Sequence, residues 1–234
     1  MKNLISKALK ETLGAIYPEN LYCMACGDTI EAATRIHGLC DACIEKMDWN
    51  TANPYEEIMD EFAFDQLWTC CRYGFYPRRI MNGLKLGAKT YYARGLGLLL
   101  AERVLQGCEE DGIEAENFDM VVPVPMTRTK LAQRGYNQAE LIADAVSDVT
   151  GIPVRTDILE RSRKTTAMKE LDPEERLNNL KGAFCLTGRP VPQNIVLVDD
   201  IYTTGATIEA CTGLLKAGGA ENVYFISICI GSEV

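Results

Sequence analysis

The chain has 234 residues, 47% hydrophobic and 24% charged, enough for one sizeable domain, or one domain plus a small appendage. Its 33 acidic and 24 basic residues give a formal charge of -9, which excludes a protein that coats nucleic acid or an anionic membrane with its whole surface, while leaving room for a local basic site. No run approaches the roughly 18 consecutive apolar residues of a spanning helix, so no membrane insertion is expected.

Residues Met1 to Ile16 place Lys2, Lys7 and Lys10 among Leu4, Ile5, Ala8, Leu9, Leu13 and Ile16. That spacing is amphipathic and lacks the apolar block of a signal peptide, so a cytoplasmic address is expected. Next come two Cys-x-x-Cys pairs, Cys23/Cys26 and Cys40/Cys43. Two such pairs can wrap four thiolates around one tetrahedral zinc ion, and Gly27 permits the tight turn the first knuckle needs. Redox or incidental cysteines are the alternative. Four sulfurs leave no open position, so the metal is expected to be structural. His37, the only histidine, then reads as a surface residue of the ribbon. Cys70, Cys71, Cys108, Cys185, Cys211 and Cys229 mostly sit in apolar runs and read as small hydrophobes.

Charge is segregated: 41–65 is acidic, 72–94 is basic without one acidic residue, and 109–119 is acidic again. Gly83 to Thr90 falls one residue short of a phosphate-binding Walker loop, because Ala88 replaces its second glycine. Such a loop follows a buried strand, and Pro77, Arg78 and Arg79 argue against one. A linker is expected before Asp119. Beyond it Met120 to Val124 reads as a strand, Tyr136 to Thr150 as a helix stopped by Gly151 and Pro153, and Ile195 to Val198 as a strand. Ile208 to Ala217 reads as a helix closed by Gly218 and Gly219, and Val223 to Ile230 as another strand. The alternation predicts an α/β fold, a parallel sheet with helices on both faces. The expected division is 1–50 for helix and ribbon and 51–234 for the α/β domain. Between them in character stands Arg161 to Lys169, with Arg163 and Lys164, a cationic segment expected to be a mobile loop.

The segment Ile195 to Thr207 carries the chemistry. A buried strand delivers Asp199 and Asp200 to the carboxyl edge of a parallel sheet, where open α/β folds bind ligands. The loop after it offers Thr203, Thr204 and Thr207 hydroxyls and the amides around Gly205 and Ala206, at the start of a helix whose dipole favours an anion. Carboxylates beside a bare phosphate would repel it, so they are expected to face sugar hydroxyls or a magnesium ion. A sugar phosphate carrying a metal-bound polyphosphate meets all of these demands.

Val196-Leu-Val-Asp-Asp-Ile-Tyr-Thr-Thr-Gly-Ala-Thr207 resembles the phosphoribosyl pyrophosphate (PRPP) motif of type I phosphoribosyltransferases. Val122-Pro-Val-Pro125, Arg134-Gly-Tyr-Asn-Gln138, the block Arg176 to Phe184 and the cysteine pairs narrow the resemblance to the ComF family of competence proteins, over roughly residues 20–231. The resemblance implies a Rossmann-like sheet of the phosphoribosyltransferase type behind an amino-terminal zinc ribbon. It implies that Asp199 and Asp200 hold ribose and, indirectly, Mg2+, while Thr203, Thr204, Gly205, Ala206 and Thr207 hold the 5-phosphate. It places pyrophosphate near Val124, Pro125 and Arg128. Arg161, Arg163 and Lys164 are the cations expected to close over the leaving group, with Lys85 and Arg134 as further candidates. The implied activity is Mg2+-dependent transfer of ribose 5-phosphate from PRPP to an unknown acceptor, linked to DNA uptake. The alternative is a non-catalytic module for PRPP or single-stranded DNA, in which Arg72 to Arg94 and Tyr73, Phe75, Tyr76, Tyr91 and Tyr92 contact DNA or a competence helicase partner.

Overall fold

The computed structural model describes residues 21–30, 37–49, 62–161 and 182–231. The stretch 1–16, Arg163, Lys164 and residues 176–181 of the Arg176 block lie outside them.

In chain order the described helices are α1 (Asp41–Ile44), α2 (Phe75–Lys85), α3 (Tyr92–Asp111), α4 (Arg128–Arg134), α5 (Gln138–Thr150) and α6 (Ala206–Ala217). The strands are β1 (Gln66–Arg72), β2 (Met120–Pro123), β3 (Leu159–Arg161), β4 (Phe184–Leu186), β5 (Asn194–Tyr202) and β6 (Asn222–Ile230). β1, β6, β5 and β2 form a parallel sheet in that order, and β3 and β4 pair separately as an antiparallel couple. Ile195 to Val198 are wholly buried, as expected of a central strand covered on both sides. Trp68, Val121, Val196, Val198 and Ile226 face a cluster with α3 and α5. Leu67, Val122, Ile195, Leu197 and Phe225 face α6 and the β3–β4 couple.

The predicted strands and helices after Asp119 all form, each within a few residues of the expected bounds. Asn137 caps α5 by accepting from the Ala139 amide at 3.2 Å, and Gly151 ends it with φ of 75°. The expected linker before Asp119 is not a break between units. β1 lies beside β6 in the one sheet, and buried Phe118 packs its ring against Trp68 and Tyr224 at 6.3 and 4.9 Å. The Walker-like segment is excluded by backbone: Gly83 and Lys85 belong to α2, so no strand-to-loop turn exists there to cradle phosphate. Pro77 is accommodated because it sits in the first turn of that helix, where its missing N–H has no partner to lose.

The cysteine knuckles dock directly on α3. A Cβ at Gly95 would stand 2.2 Å from the His37 carbonyl oxygen, so only glycine permits this approach. Met24, Leu39 and Met47 are buried in the same cluster as Leu96 and Leu100. His37, expected at the surface of the ribbon, keeps 19% of its side chain exposed and also meets α3. Its Nε2 lies 2.7 Å from Glu102 Oε1 of α3, which clamps the ribbon to the helix. Beyond α1 the chain joins the sheet: the Arg72 amide donates to Asp48 O at 2.8 Å, and Trp49 bridges to Cys71. Among the described residues no helix is long and apolar enough to cross a membrane.

Candidate functional site

The first site is the four-cysteine cluster. Cys23, Cys26, Cys40 and Cys43 bring their sulfurs within 4.8 Å of one another. Four Zn–S bonds of about 2.3 Å in a tetrahedron place sulfurs about 3.8 Å apart. Cys26 Sγ and Cys40 Sγ are 3.9 Å apart, close to that spacing, so the four-sulfur set fits such an ion. Backbone amides also turn toward sulfur, as Asp28 N does toward Cys26 Sγ at 3.4 Å. Burial raises the Cys23 thiol, but amides of Cys26, Cys40 and Ala25 outweigh it and leave the group at about 7, whereas burial pushes Cys26 up to about 11 and Cys43 further still, so a bound cation would have to displace their protons. The cluster docks against the start of α3 at Gly95 and against α2, where Arg79 Nη2 donates to Cys26 O at 3.2 Å, and none of the four cysteines lines the pocket described next.

The second site lies at that edge. A pocket of about 280 Å³ is lined by Asp199, Asp200, Thr207, Lys85, Lys130, Arg134 and Arg161, with Val124, Pro125, Met126, Asn137 and Gln138. β5 supplies the two carboxylates. Because successive strand residues point to opposite faces, Asp200 turns toward α2 and Asp199 toward α6. Lys85 Nζ of α2 meets Asp200 Oδ2 at 2.5 Å, and the Asp200 amide donates to Asp199 Oδ1 at 2.8 Å. Burial lifts the Asp199 carboxyl well above the usual carboxylate range, the neighbouring Asp200 adds to the rise, and Lys85 offsets only part of it. Burial pulls Lys85 down, but the Asp200 charge beside it prevails and holds the ammonium above its ordinary value.

The turn after β5 leads directly into α6. Gly205 adopts φ of 73° and precedes α6, whose first turn has no side-chain cap. Its amides therefore remain for a ligand, with the helix dipole behind them. A Cβ on Gly205 would stand 2.6 Å from the Tyr202 hydroxyl, so both space and backbone require glycine. Thr203 and Thr204 are exposed on the turn, Gly205 and Ala206 are buried, and Thr207 reaches the pocket wall.

The opposite wall is cationic. Lys130 and Arg134 stand four residues apart on α4 and share one face of that helix. Arg161 closes β3, and its guanidinium lies over the Phe184 ring at 4.9 Å. Burial lowers the Lys130 ammonium, and the cations of Arg161, Arg134 and Lys85 lower it further, a mark of like charges gathered in one place. Arg134 also donates to Gln138 Oε1.

Thr203, Thr204, Gly205 and Ala206 are not among the lining residues, whereas Lys85, Val124, Pro125, Arg134, Arg161, Asp199, Asp200 and Thr207 do line the pocket. Arg128 does not: its side chain is 89% exposed, pairs with Glu160 at 2.7 Å and is absent from the pocket lining. Val124 and Pro125 line the pocket, yet the Val124 amide donates to Val198 O at 2.8 Å and its carbonyl accepts from Asn137 Nδ2, while Pro125 has no N–H. Neither offers a main-chain donor to pyrophosphate. Lys130 and Gln138 were not singled out from sequence. The signal for Lys130 was its four-residue spacing from Arg134, which is informative only once a helix is known there. Of the basic tract's aromatics, Tyr92 is buried and Tyr73 and Tyr76 pack against the core, whereas Phe75 and Tyr91 are 68% and 51% exposed.

No family model matches the chain. It is homologous to curated competence and DNA-utilisation proteins. It is 27% identical over 224 residues to the competence protein ComFC of Streptococcus pneumoniae, covering 88% of this chain and 98% of that protein. It is 27% identical over 207 residues to the DNA utilization protein YhgH of Escherichia coli O157:H7, covering 88% and 83% of the two chains. With competence protein F of Haemophilus influenzae it shares 34% identity over 108 residues, 45% of this chain and 47% of that one. The likeness to the ComF proteins expected from the motifs is borne out. Among solved structures, a hypoxanthine phosphoribosyltransferase of Trypanosoma cruzi overlaps at 13% identity and a TM-score of 0.35, over 59% of this chain and 64% of that one. TT1426 of Thermus thermophilus overlaps at 16% identity and a TM-score of 0.35, over 61% and 85%.

Proposed function

We propose that the chain binds PRPP with Mg2+ and transfers its ribose 5-phosphate to an acceptor in DNA utilisation. The single observation that carries this reading is one pocket holding an acidic pair between an uncapped helix start and a wall of three cations. The arrangement offers each part of PRPP a partner. The α6 amides and Thr207 take the 5-phosphate, Asp199 and Asp200 accept from ribose hydroxyls, and the cations of α4 and β3 take the diphosphate. Asp199 and Asp200 are the residues that would hold magnesium, indirectly, and the ion would supply charge neutralisation for the leaving group. Departure of pyrophosphate builds positive charge on the ribose ring, which fixed carboxylates and an oriented sugar stabilise. Asp199 enters this exchange from a protonation-favouring site, and ribose hydroxyls or a cation would draw it toward the charged form. A zinc ion in the four-cysteine site would hold the ribbon on α3 and take no part in transfer.

Calorimetric titration of PRPP in the presence of Mg2+ tests the reading, together with the paired substitution Asp199→Ala and Asp200→Ala. Saturable binding by the wild type that is lost in the double variant supports it; no binding, or equal binding by both, ends it. Pyrophosphate release on adding a base or amine identifies the acceptor and establishes turnover.

The second reading, a module that contacts single-stranded DNA or a competence helicase, is favoured by one surface. Phe75, Arg78, Arg79, Lys89 and Tyr91 are all exposed on or just after α2, and Arg79 lies over the Phe75 ring at 5.8 Å. Stacking and phosphate pairing would both be available there. Filter binding of oligonucleotides across a salt series decides it, because electrostatic contact must weaken as salt rises.

A further inference from the structure

The acidic pair already has a cation of its own. Lys85, the last residue of α2, sets its Nζ 2.5 Å from Asp200 Oδ2, and apart from Lys85 that buried oxygen has no partner among the described residues. The charges of Asp200 and Asp199 both act on the ammonium. The end of α2 is tied down by the Tyr136 hydroxyl, which donates to the carbonyl of neighbouring Leu84, so Lys85 is presented from a fixed helix end. Among the described residues the pocket is lined by the cations Lys85, Lys130, Arg134 and Arg161 against the carboxylates Asp199 and Asp200. A divalent cation arriving alone would meet the Lys85 ammonium at a carboxylate that is 6% exposed, and like charges repel strongly where water is scarce. A divalent cation already bound to a diphosphate belongs to a complex whose net charge is negative. For that complex the interaction with Lys85 changes sign, from repulsion to attraction.

We infer that Lys85 is the resident counter-cation of the acidic pair and sets the order of loading: it keeps free divalent metal off Asp199 and Asp200 and admits the metal only as its complex with a phosphorylated ligand. The pair suits a hard cation, since both groups offer oxygen alone. Lys85 holds that place until a ligand brings charge to balance the metal. Its role is to select the form in which the metal is taken up, separately from the stability that its ion pair gives the fold. The inference rests on the PRPP reading for the ligand that carries the metal, though not for the exclusion of the free cation.

Equilibrium dialysis of the full chain against Mn2+, with and without PRPP, reads the metal that the protein retains; Mn2+ stands in for Mg2+ as another oxygen-seeking dication. The wild type and Lys85→Arg, which keeps the charge, should retain Mn2+ only when PRPP is added. Lys85→Met should bind Mn2+ alone about 10-fold or more tighter than the wild type, because the repulsion is gone and Asp200 is left unbalanced. Adding Asp200→Asn should abolish that gain, which separates the pair from acidic groups on the surface. A merely structural Lys85 would leave Mn2+ affinity unchanged or lower in Lys85→Met, since a loosened pocket holds a metal less well. Circular dichroism checks the fold of each variant, and Lys85→Gln repeats the measurement should Lys85→Met not fold. Equal Mn2+ affinity in the wild type and the neutral variants overturns the inference. So does a wild type that binds Mn2+ as tightly without PRPP as with it, a result that needs no variant. Should Lys85→Met gain Mn2+ through Asp200 while PRPP brings no metal to the wild type, the PRPP reading falls and the exclusion of free cation by Lys85 stands.

Discussion

Lys85 Nζ stands 2.5 Å from Asp200 Oδ2, and the pair joins the end of α2 to the end of β5 at the rim of the pocket. The Asp200 side chain is 6% exposed, so the ion pair neutralises a charge that water no longer reaches. Removing one member of such a pair leaves the other uncompensated and costs about 3–5 kcal/mol when fully buried. Lys85 keeps 27% of its side-chain surface in solvent, which reduces that figure.

Lys85→Met should therefore destabilise the fold by about 2–3 kcal/mol, read as a lower urea midpoint with unchanged slope. Asp200→Asn combined with Lys85→Met should recover part of the loss, because no unpaired charge is then left inside. A double variant as unstable as the sum of the single ones would show that the two groups do not interact.

Asp199 predicts a pH dependence of the opposite kind. Its folded pKa is raised above the unfolded value of about 4 by burial and by Asp200. A raised folded pKa contributes stability that is fully present below the unfolded value and is lost as pH rises through the folded one. Asp199→Asn should thus match the wild type near pH 3.5 and be more stable at pH 7.5, by about 1 kcal/mol or more. Denaturant titrations at the two pH values check it. The same variant should bind PRPP more weakly, the expected exchange of function for stability at a strained site.

Chelation addresses the ribbon. Because Met24, Leu39 and Met47 share a core cluster with α3, loss of the metal should loosen more than the knuckles themselves. The purified protein should carry one zinc per chain by elemental analysis. Its removal, or Cys40→Ser, should lower the thermal midpoint by about 6–12 °C, corresponding to roughly 3 kcal/mol in a chain of this size. An unchanged midpoint would show that the cluster has no stabilising ion.

Gly95→Ala separates helix propensity from docking. An isolated helix would gain up to about 1 kcal/mol from the change. Here the added Cβ would meet the His37 carbonyl at 2.2 Å, so the ribbon must shift, and a net loss of about 1–3 kcal/mol is expected. Zinc should also be released faster by chelators. A stabilised variant would mean that the ribbon does not press on α3.

Gly205→Ala tests the turn before α6. The substituted residue must hold φ of 73° and avoid the Tyr202 hydroxyl at 2.6 Å. The left-handed region alone costs roughly 1–2 kcal/mol for an L-residue. Affinity for ribose 5-phosphate should fall about 10-fold or more by calorimetry, with a smaller effect on pyrophosphate.

Much of this was written locally in the chain. The β-branched run before Asp199, the glycine at 205 and the cysteine spacing each specify their own geometry through backbone sterics or ligand reach, so they are legible without partners. β1 was not. Its short apolar run Leu67 to Cys71 fits a strand or a buried helix equally well, and only pairing with β6 from the far end of the chain decides between them.

The amino-acid sequence by itself determined the acidic pair, the glycine turn before α6 and the four thiols, because each depends on neighbours a few residues away. Tertiary structure alone decided that Lys85 neutralises Asp200, that His37 clamps the ribbon to Glu102, and that Lys130 and Arg161 face one pocket. Coulomb interactions act over a few ångströms of space whatever the separation in sequence, so the partners of a charge are fixed only when the chain has folded.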